Sequence, residues 1–237
     1  MERIQLLEAE LALLEAQRTL TRAKLEAEIT MRDEAALEKA AEEGNVERVQ
    51  ELLDTGVDIN TPHTMWSPLM RAADGGHLEC LNLLLQRGAD VHRCTSARCV
   101  INGQDEKIYT PLERAIHRGH ADCVRALLAN GADINTRTYG GTMLMLAAER
   151  CHPECVRALL EHGGLDINAK NLGAIPYTMG WTALHCAANK GSVDCARLLL
   201  EHGIDVNARS VNGQTALDIA ANMGNADVAQ LLRERSA

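Results

Sequence analysis

One phrase, met five times in the same order, constrains this chain more than its composition does. It reads Ser67-Pro68-Leu69-Met70, Thr110-Pro111-Leu112-Glu113, Thr142-Met143-Leu144-Met145, Thr182-Ala183-Leu184-His185 and Thr215-Ala216-Leu217-Asp218. Small residues follow each copy, at Ala72-Ala73, Ala115-Ile116, Ala147-Ala148, Ala187-Ala188 and Ala220-Ala221. A turn comes next, at Gly76, Gly119, Cys151, Gly191 and Gly224, then a Leu-rich run such as Leu83-Leu84-Leu85 or Leu198-Leu199-Leu200. Gly88-Ala89-Asp90, Gly131-Ala132-Asp133 and Gly203-Ile204-Asp205 close their units. A short unit repeated in phase cannot bury its apolar face alone, so such units stack into a solenoid.

Each piece of the unit has a local reason. The Ser or Thr hydroxyl can accept from an orphan backbone N–H at a helix start. Pro is tolerated in the first turn, where its missing N–H costs nothing. The Ala pair lets two helices approach closely, and Gly ends the first helix in a left-handed conformation. The Leu run buries the second helix, and Gly-Ala-Asp turns the chain into a finger across the helix ends. Aromatics are only 2% of the chain and Phe is absent. A thick single core leans on aromatic bulk, whereas thin layers of Leu, Ala, Val, Ile and Cys suit stacked helices.

This unit resembles the ankyrin repeat, which has about 33 residues and a T-P-L-H-x-A signature. The resemblance covers residues 34–237. It implies an all-α solenoid of helix-turn-helix repeats with hairpin fingers. We expect a repeat domain over 32–237 with six repeats, at about 34–62, 66–93, 109–136, 141–169, 181–208 and 214–237. The outer two are edited as caps: the first is heavily charged and lacks the Thr-Pro start, and the last ends in Arg233-Glu234-Arg235 without a closing finger. Ser67 to Thr110 spans 43 residues and Thr142 to Thr182 spans 40, against 32 or 33 elsewhere. Two fingers are therefore enlarged, about His92 to Tyr109 and Lys170 to Trp181. Insertions in a repeat array map to loops, often on the binding face.

The five aromatics, Trp66, Tyr109, Tyr139, Tyr177 and Trp181, all fall in finger segments. Trp66, Tyr109 and Trp181 each precede the Ser or Thr cap. The resemblance implies that this position faces the concave surface, and Trp and Tyr are enriched among interface hot spots. The competing reading is that the rings stack to stiffen the row of fingers. Further contact positions follow the small-residue pairs: Asp74, Gly75, His117, Arg118, Glu149, Arg150, Asn189, Lys190, Asn222 and Met223. Their mixed chemistry suits a protein partner carrying both charge signs.

Cys80, Cys123, Cys155 and Cys195 share one repeat position and read as small buried hydrophobes. Stacked repeats hold such positions apart by more than the roughly 7 Å that a disulfide spans. His92, Cys94 and Cys99 supply three local candidates for a zinc site that needs four ligands, so no metal and no cofactor are expected. His77, His120 and His152 fall at turns where the resemblance implies backbone hydrogen bonding. No nucleophile triad, phosphate loop or carboxylate pair stands out, and the chain is read as non-enzymatic.

The charge is −9, from 24 Lys and Arg against 33 Asp and Glu, with no cluster of cations. Nucleic acid is therefore not an expected partner. No apolar run approaches the roughly 20 residues of a membrane span. The Glu-rich start reads as neither secretory signal nor transit peptide. Cysteine usage points to a reducing cytoplasm or nucleus.

Residues 1–31 contain no Gly or Pro and are rich in Glu, Leu, Ala and Arg, which predicts a helix. Ile4, Leu7, Leu11 and Leu14 form one apolar stripe, continued weakly by Leu25 and Ile29. Leu6, Ala9, Leu13, Ala16, Leu20, Ala23 and Ala27 form a second, on roughly the opposite side. A surface helix needs only one such stripe. Two stripes suggest a helix held between the first repeat and either a second copy or another protein. Its alternatives are a solitary extended helix or a short hairpin. Arg18 interrupts the first stripe, which speaks against a long, regular coiled coil. Two functions follow as expectations: an adaptor gripping a protein segment on the concave finger surface, or a structural subunit wedged into an assembly through this helix and the enlarged fingers.

Overall fold

A computed structural model describes residues 2–60, 66–94, 109–138, 141–172 and 178–236, with side chains from residue 13 to 235 within those segments. Its helices are α1 Glu2–Glu43, α2 Val46–Asp54, α3 Pro68–Gly75, α4 Leu78–Gln86, α5 Pro111–Arg118, α6 Ala121–Ala129, α7 Met143–Glu149, α8 Pro153–His162, α9 Ala183–Lys190, α10 Val193–Glu201, α11 Ala216–Met223 and α12 Ala226–Ser236. They form six antiparallel pairs in two rows. The end of α1 packs on α3, and α3, α5, α7, α9 and α11 follow in one row; α2, α4, α6, α8, α10 and α12 make the other. The fold is all-α, as the repeat pattern predicts.

The recurring phrase does locally what its residues dictate. The Ser67, Thr110, Thr142 and Thr215 hydroxyls accept from the backbone N–H three residues on, at 3.1–3.3 Å. Pro68 and Pro111 occupy the first turns of α3 and α5. Thr182 caps differently: its N–H and hydroxyl both donate to His185 Nδ1, at 3.1 and 2.9 Å, and His185 Nε2 reaches Gln214 O at 3.2 Å. The ring is thus neutral, with its proton on Nε2. Burial also pushes its pKa down. Ala72, Ala73, Ala115, Ala147, Ala148, Ala187, Ala188 and Ala220 have no exposed surface, and they join Leu81, Leu84, Leu127, Leu159, Leu199 and Leu232 in one continuous core. Removing such area from water, at about 25 cal/mol per Å², is what holds repeat to repeat.

A ladder of side chains crosses from repeat to repeat at the helix turns. His77 Nε2 lies 2.9 Å from Glu42 O, His120 Nε2 3.0 Å from Asp74 O and His152 Nε2 3.3 Å from His117 O. Asn225 takes the same place in the last repeat, donating to Ala188 O at 2.8 Å and Asn189 O at 3.1 Å. A Cβ at Gly44, Gly76, Gly119 or Gly191 would collide with His77, His120, His152 or Asn225 respectively, and each of these glycines has positive φ. The fourth turn departs from the rule twice. Cys151 stands at the glycine place with φ 59°, and the next repeat offers Ser192 where the others offer a ring or amide. A side chain fits there because its neighbour is small.

The fingers are tight turns closed by aspartate. Asp58, Asp90, Asp133, Asp166 and Asp205 accept from the N–H two residues on, at 2.8–2.9 Å. Asn60 and Asn168 accept from the Asp90 and Asp205 N–H of the following finger, both at 2.8 Å. The hairpins expected from the resemblance have no paired strands among the described residues, where an isolated Thr138–Gly141 bridge is the β contact. The base of the second enlarged finger is tied in register: Asn171 N–H donates to Trp181 O and Gly180 N–H to Asn171 O, both at 2.7 Å. Val211 N–H reaches Met179 O at 3.1 Å.

Helix α1 has 42 residues, about 63 Å at 1.5 Å per residue. It does not break where the first repeat begins, since Asp33-Glu34-Ala35-Ala36 offers neither Gly nor Pro. Leu37, Ala40 and Ala41 are buried, whereas residues 13–32 are exposed on every side. Over the described side chains of residues 13–32, the first repeat covers neither stripe. The helix continues in line with the first-repeat helix instead of folding back across it.

Candidate functional site

The aromatics divide into two groups. Arg114 on α5 joins the first: its guanidinium lies 4.4 Å from the Trp66 ring centroid and 5.3 Å from that of Tyr109. Arg71 on α3 lies 5.0 Å from Trp66. These are cation–π distances, and both rings are half-buried. The helix repeat explains the juxtaposition, because Arg71 and Arg114 each sit one turn after the cap that follows the aromatic.

Arg114 is nearly buried and is fixed by Asp74 at the end of α3. Its Nε donates to Asp74 Oδ1 at 2.9 Å, and its Nη2 pairs with the same oxygen. Arg118 adds Nε to Oδ1 at 2.9 Å and Nη2 to Oδ2 at 3.2 Å. Burial pushes the Asp74 carboxyl up, but the hydrogen bonds and charges of Arg118 and Arg114 outweigh it and hold the group below its usual value. Arg71 turns the other way, to Glu42 at 3.4 Å.

His117 lies beside this cluster. Burial, then the charges of Arg150, Arg114 and Arg118, push its pKa down to about 4, with Asp74 opposing. Its Nδ1 is buried without a hydrogen-bond partner among the described residues. Arg118, Arg150 and Lys190 are exposed and Glu149 is half-buried, so the ends of α5, α7 and α9 present mixed charge. Trp181 stands apart from Trp66 and Tyr109. It packs on the core, stacks on His185 at 6.2 Å between centroids, and buries an Nε1 with no partner among the described residues. Tyr139 and Tyr177 lie outside the described residues.

Two family models match the chain. "Ankyrin repeats (3 copies)" covers residues 11–95, 94–171 and 173–237, and "Ankyrin repeats (many copies)" covers 144–199. The chain belongs to the ankyrin-repeat family. Ankyrin repeats generally mediate protein–protein interaction and are typically non-catalytic. This ankyrin array is similar to the 2-5A-dependent ribonuclease of Mus musculus, 44% identical over 63 residues, which is 26% of this chain and 9% of that protein. It is also similar to ankyrin repeat, SAM and basic leucine zipper domain-containing protein 1 of Atelerix albiventris and of Bos taurus. Each is 36% identical over 77 residues, 30% of this chain and 16% of the relative. The chain thus spans less than a fifth of these relatives' lengths.

The remaining ankyrin positions read structurally. Cys80, Cys123, Cys155 and Cys195 are buried free thiols, and burial first of all pushes Cys123 and Cys195 up to about 11 and Cys155 up to about 12. Among the described residues no three His, Cys, Asp or Glu side chains are grouped to hold a metal ion. Cys94 is exposed, and Cys99 of the same finger lies outside the described residues. Among the described residues no helix is long and apolar enough to cross a membrane. On α1, Leu13, Leu14 and Leu20 are exposed by 60%, 63% and 57%, while the side chains of Ile4, Leu6, Leu7 and Leu11 lie outside the described set. Sequence reasoning passed over Arg71 and Arg114. The available signal was a cation at the x of T-P-L-H-x-A in the two repeats that follow a finger ending in Trp66 or Tyr109.

Proposed function

We propose that this ankyrin array is an adaptor that binds a segment of another protein on its concave surface, with Trp66 and Tyr109 as the anchor. The observation that carries this reading is the Trp66–Arg114–Tyr109 stack. Two half-exposed rings are held rigid by a guanidinium that Asp74 itself fixes, so their area is offered at little entropic cost. Arg118, Arg150 and Lys190 would meet carboxylates or carbonyls of the partner, and Glu149 a donor. Neutral His117 would lie between them. Tyr139, Tyr177 and Trp181 would extend the contact along the fingers. The protein acts without catalysis or cofactor, and its buried free thiols favour a reducing cytoplasm or nucleus.

Affinity capture from native extract, read by mass spectrometry, tests this with Trp66→Ala/Tyr109→Ala and Trp181→Ala baits kept separate. A partner lost from the first bait, while its circular dichroism stays native, supports the anchor. The same partners retained on that bait would make the rings finger braces.

A second reading is favoured by a different observation. The exposed leucines of α1 suit a structural subunit docked into an assembly through this helix and the enlarged fingers.

A further inference from the structure

Residues 13–32 of α1 leave the repeat stack as a bare helix, with Leu13 and Leu20 exposed by 60% and 57% and Ala16, Ala23 and Ala27 exposed between and beyond them. Along the sequence, Leu6, Leu13, Leu20 and Ala27 are spaced by seven, and so are Ala9, Ala16, Ala23 and Thr30. That is a heptad seam with leucine at a up to Ala27 and alanine at d up to Thr30. The opposite stripe is no seam, because Arg18 and Thr21 stand where Leu11 and Leu14 would continue it.

We propose that this seam pairs with the same seam of a second copy, antiparallel, to form a two-helix coiled coil. Register decides the direction. With Leu13 opposite Ala23 of the second copy, Ala16 falls opposite Leu20, Ala9 opposite Ala27 and Leu6 opposite Thr30. Every leucine then meets a small residue, and the helices keep one separation along their length. A parallel pair would stack leucine on leucine and alanine on alanine, alternately crowding and emptying the seam.

Charge points the same way. Residues flanking the seam at the e positions are Glu10, Gln17 and Lys24. In the antiparallel register Glu10 of each copy lies beside Lys24 of the other, and the two Gln17 residues meet at the centre. In a parallel pair Glu10 would face Gln5, and Lys24 would face Thr19, with no opposite charges joined. The register also fits the fold: residue 3 of one copy comes level with residue 33 of the other, where α1 begins to be covered by its own repeats. The two repeat arrays then sit at opposite ends of the rod, clear of each other. This contact lies away from the Trp66–Tyr109 face and stands or falls independently of it.

Sedimentation equilibrium of the full chain tests the proposal. The wild type is expected to dimerise, and Leu13→Asp/Leu20→Asp to be monomeric with an unchanged repeat unfolding transition, since neither leucine touches the repeats. Lys24→Glu sets two glutamate pairs against each other and should weaken the dimer by about tenfold. Glu10→Lys/Lys24→Glu exchanges the charges and should restore it. A wild type that stays monomeric at the highest concentration reached overturns the proposal. So does a dimer indifferent to Lys24→Glu, or one that the charge exchange fails to restore.

Discussion

The Arg114 guanidinium is held between the Trp66 ring, 4.4 Å from its centroid, and the Asp74 carboxylate, to which its Nε donates at 2.9 Å. One side chain from the third repeat thereby locks the aromatic that opens the second repeat and the end of that repeat's first helix. Arg114→Ala removes the cation from both rings and leaves Asp74 with Arg118 alone. Breaking a buried pair costs about 3–5 kcal/mol, and the retained Arg118 and partial exposure reduce this to about 2 kcal/mol. Urea unfolding should show that loss, with Trp66 emission shifted to the red. Arg114→Lys should fall in between, because an ammonium cannot fork to Asp74 and cover the ring at once.

The same cluster sets an acid limit. His117 has its folded pKa lowered to about 4 from its ordinary value of 6.5, so below pH 6.5 the unfolded chain binds the proton more readily. Stability therefore falls as pH drops from about 6.5 towards 4. His185, also lowered, adds to the same slope. Asp74 acts further down. Its depressed pKa gives stability that is present above its unfolded value of 3.8 and is lost as pH falls through the folded value. His117→Gln keeps a neutral polar side chain and should flatten the pH 6.5–4 portion of the unfolding free energy, leaving only the contribution of His185 there. An unchanged slope in that variant would show that His117 is not held neutral.

The solenoid was legible because each repeat states its own structure. Thr110-Pro111 starts a helix, Ala147-Ala148 packs close and Gly119 ends a helix wherever they stand. The buried cysteines and the turn histidines followed from their phase in the unit. The site was legible only in part. The place of Trp66 and Tyr109 could be read, but not their separation from Trp181, which depends on how many repeats intervene and on the His185 ring beneath it. Arg114 was missed because its partners, Trp66 and Asp74, are 48 and 40 residues away in the chain. What lies beside α1 was not legible for a simpler reason. Two apolar stripes demand two neighbours, but nothing in a stripe says that the chain must bend to supply one.

Cys151 and Ser192 form a coupled exception to the ladder of turn residues. A non-glycine residue at φ 59° costs roughly 1 kcal/mol, so Cys151→Gly should stabilise the chain by about that amount. Ser192→His alone should destabilise it, because the ring would strike the Cys151 side chain as it would a Cβ at Gly76 or Gly119. The double variant should be more stable than either single change predicts, since the new ring could take up Glu149 O as His152 takes up His117 O. Thermal unfolding of all four proteins closes this cycle, and simple additivity would remove the coupling.

Trp181 buries an Nε1 that has no hydrogen-bond partner among the described residues. A buried donor left unpaired costs about 1–3 kcal/mol. Trp181→Phe keeps an aromatic against His185 and removes the donor, at the expense of some packed area. The two effects oppose each other, and stability should stay within about 1 kcal/mol of the wild type. Trp181→Ala loses the packing on the core as well, and for a half-buried ring should cost about 2 kcal/mol. Chemical denaturation measures both. If Trp181→Phe costs as much as Trp181→Ala, the indole N–H has a partner in solution, and the ring's role is polar as well as structural.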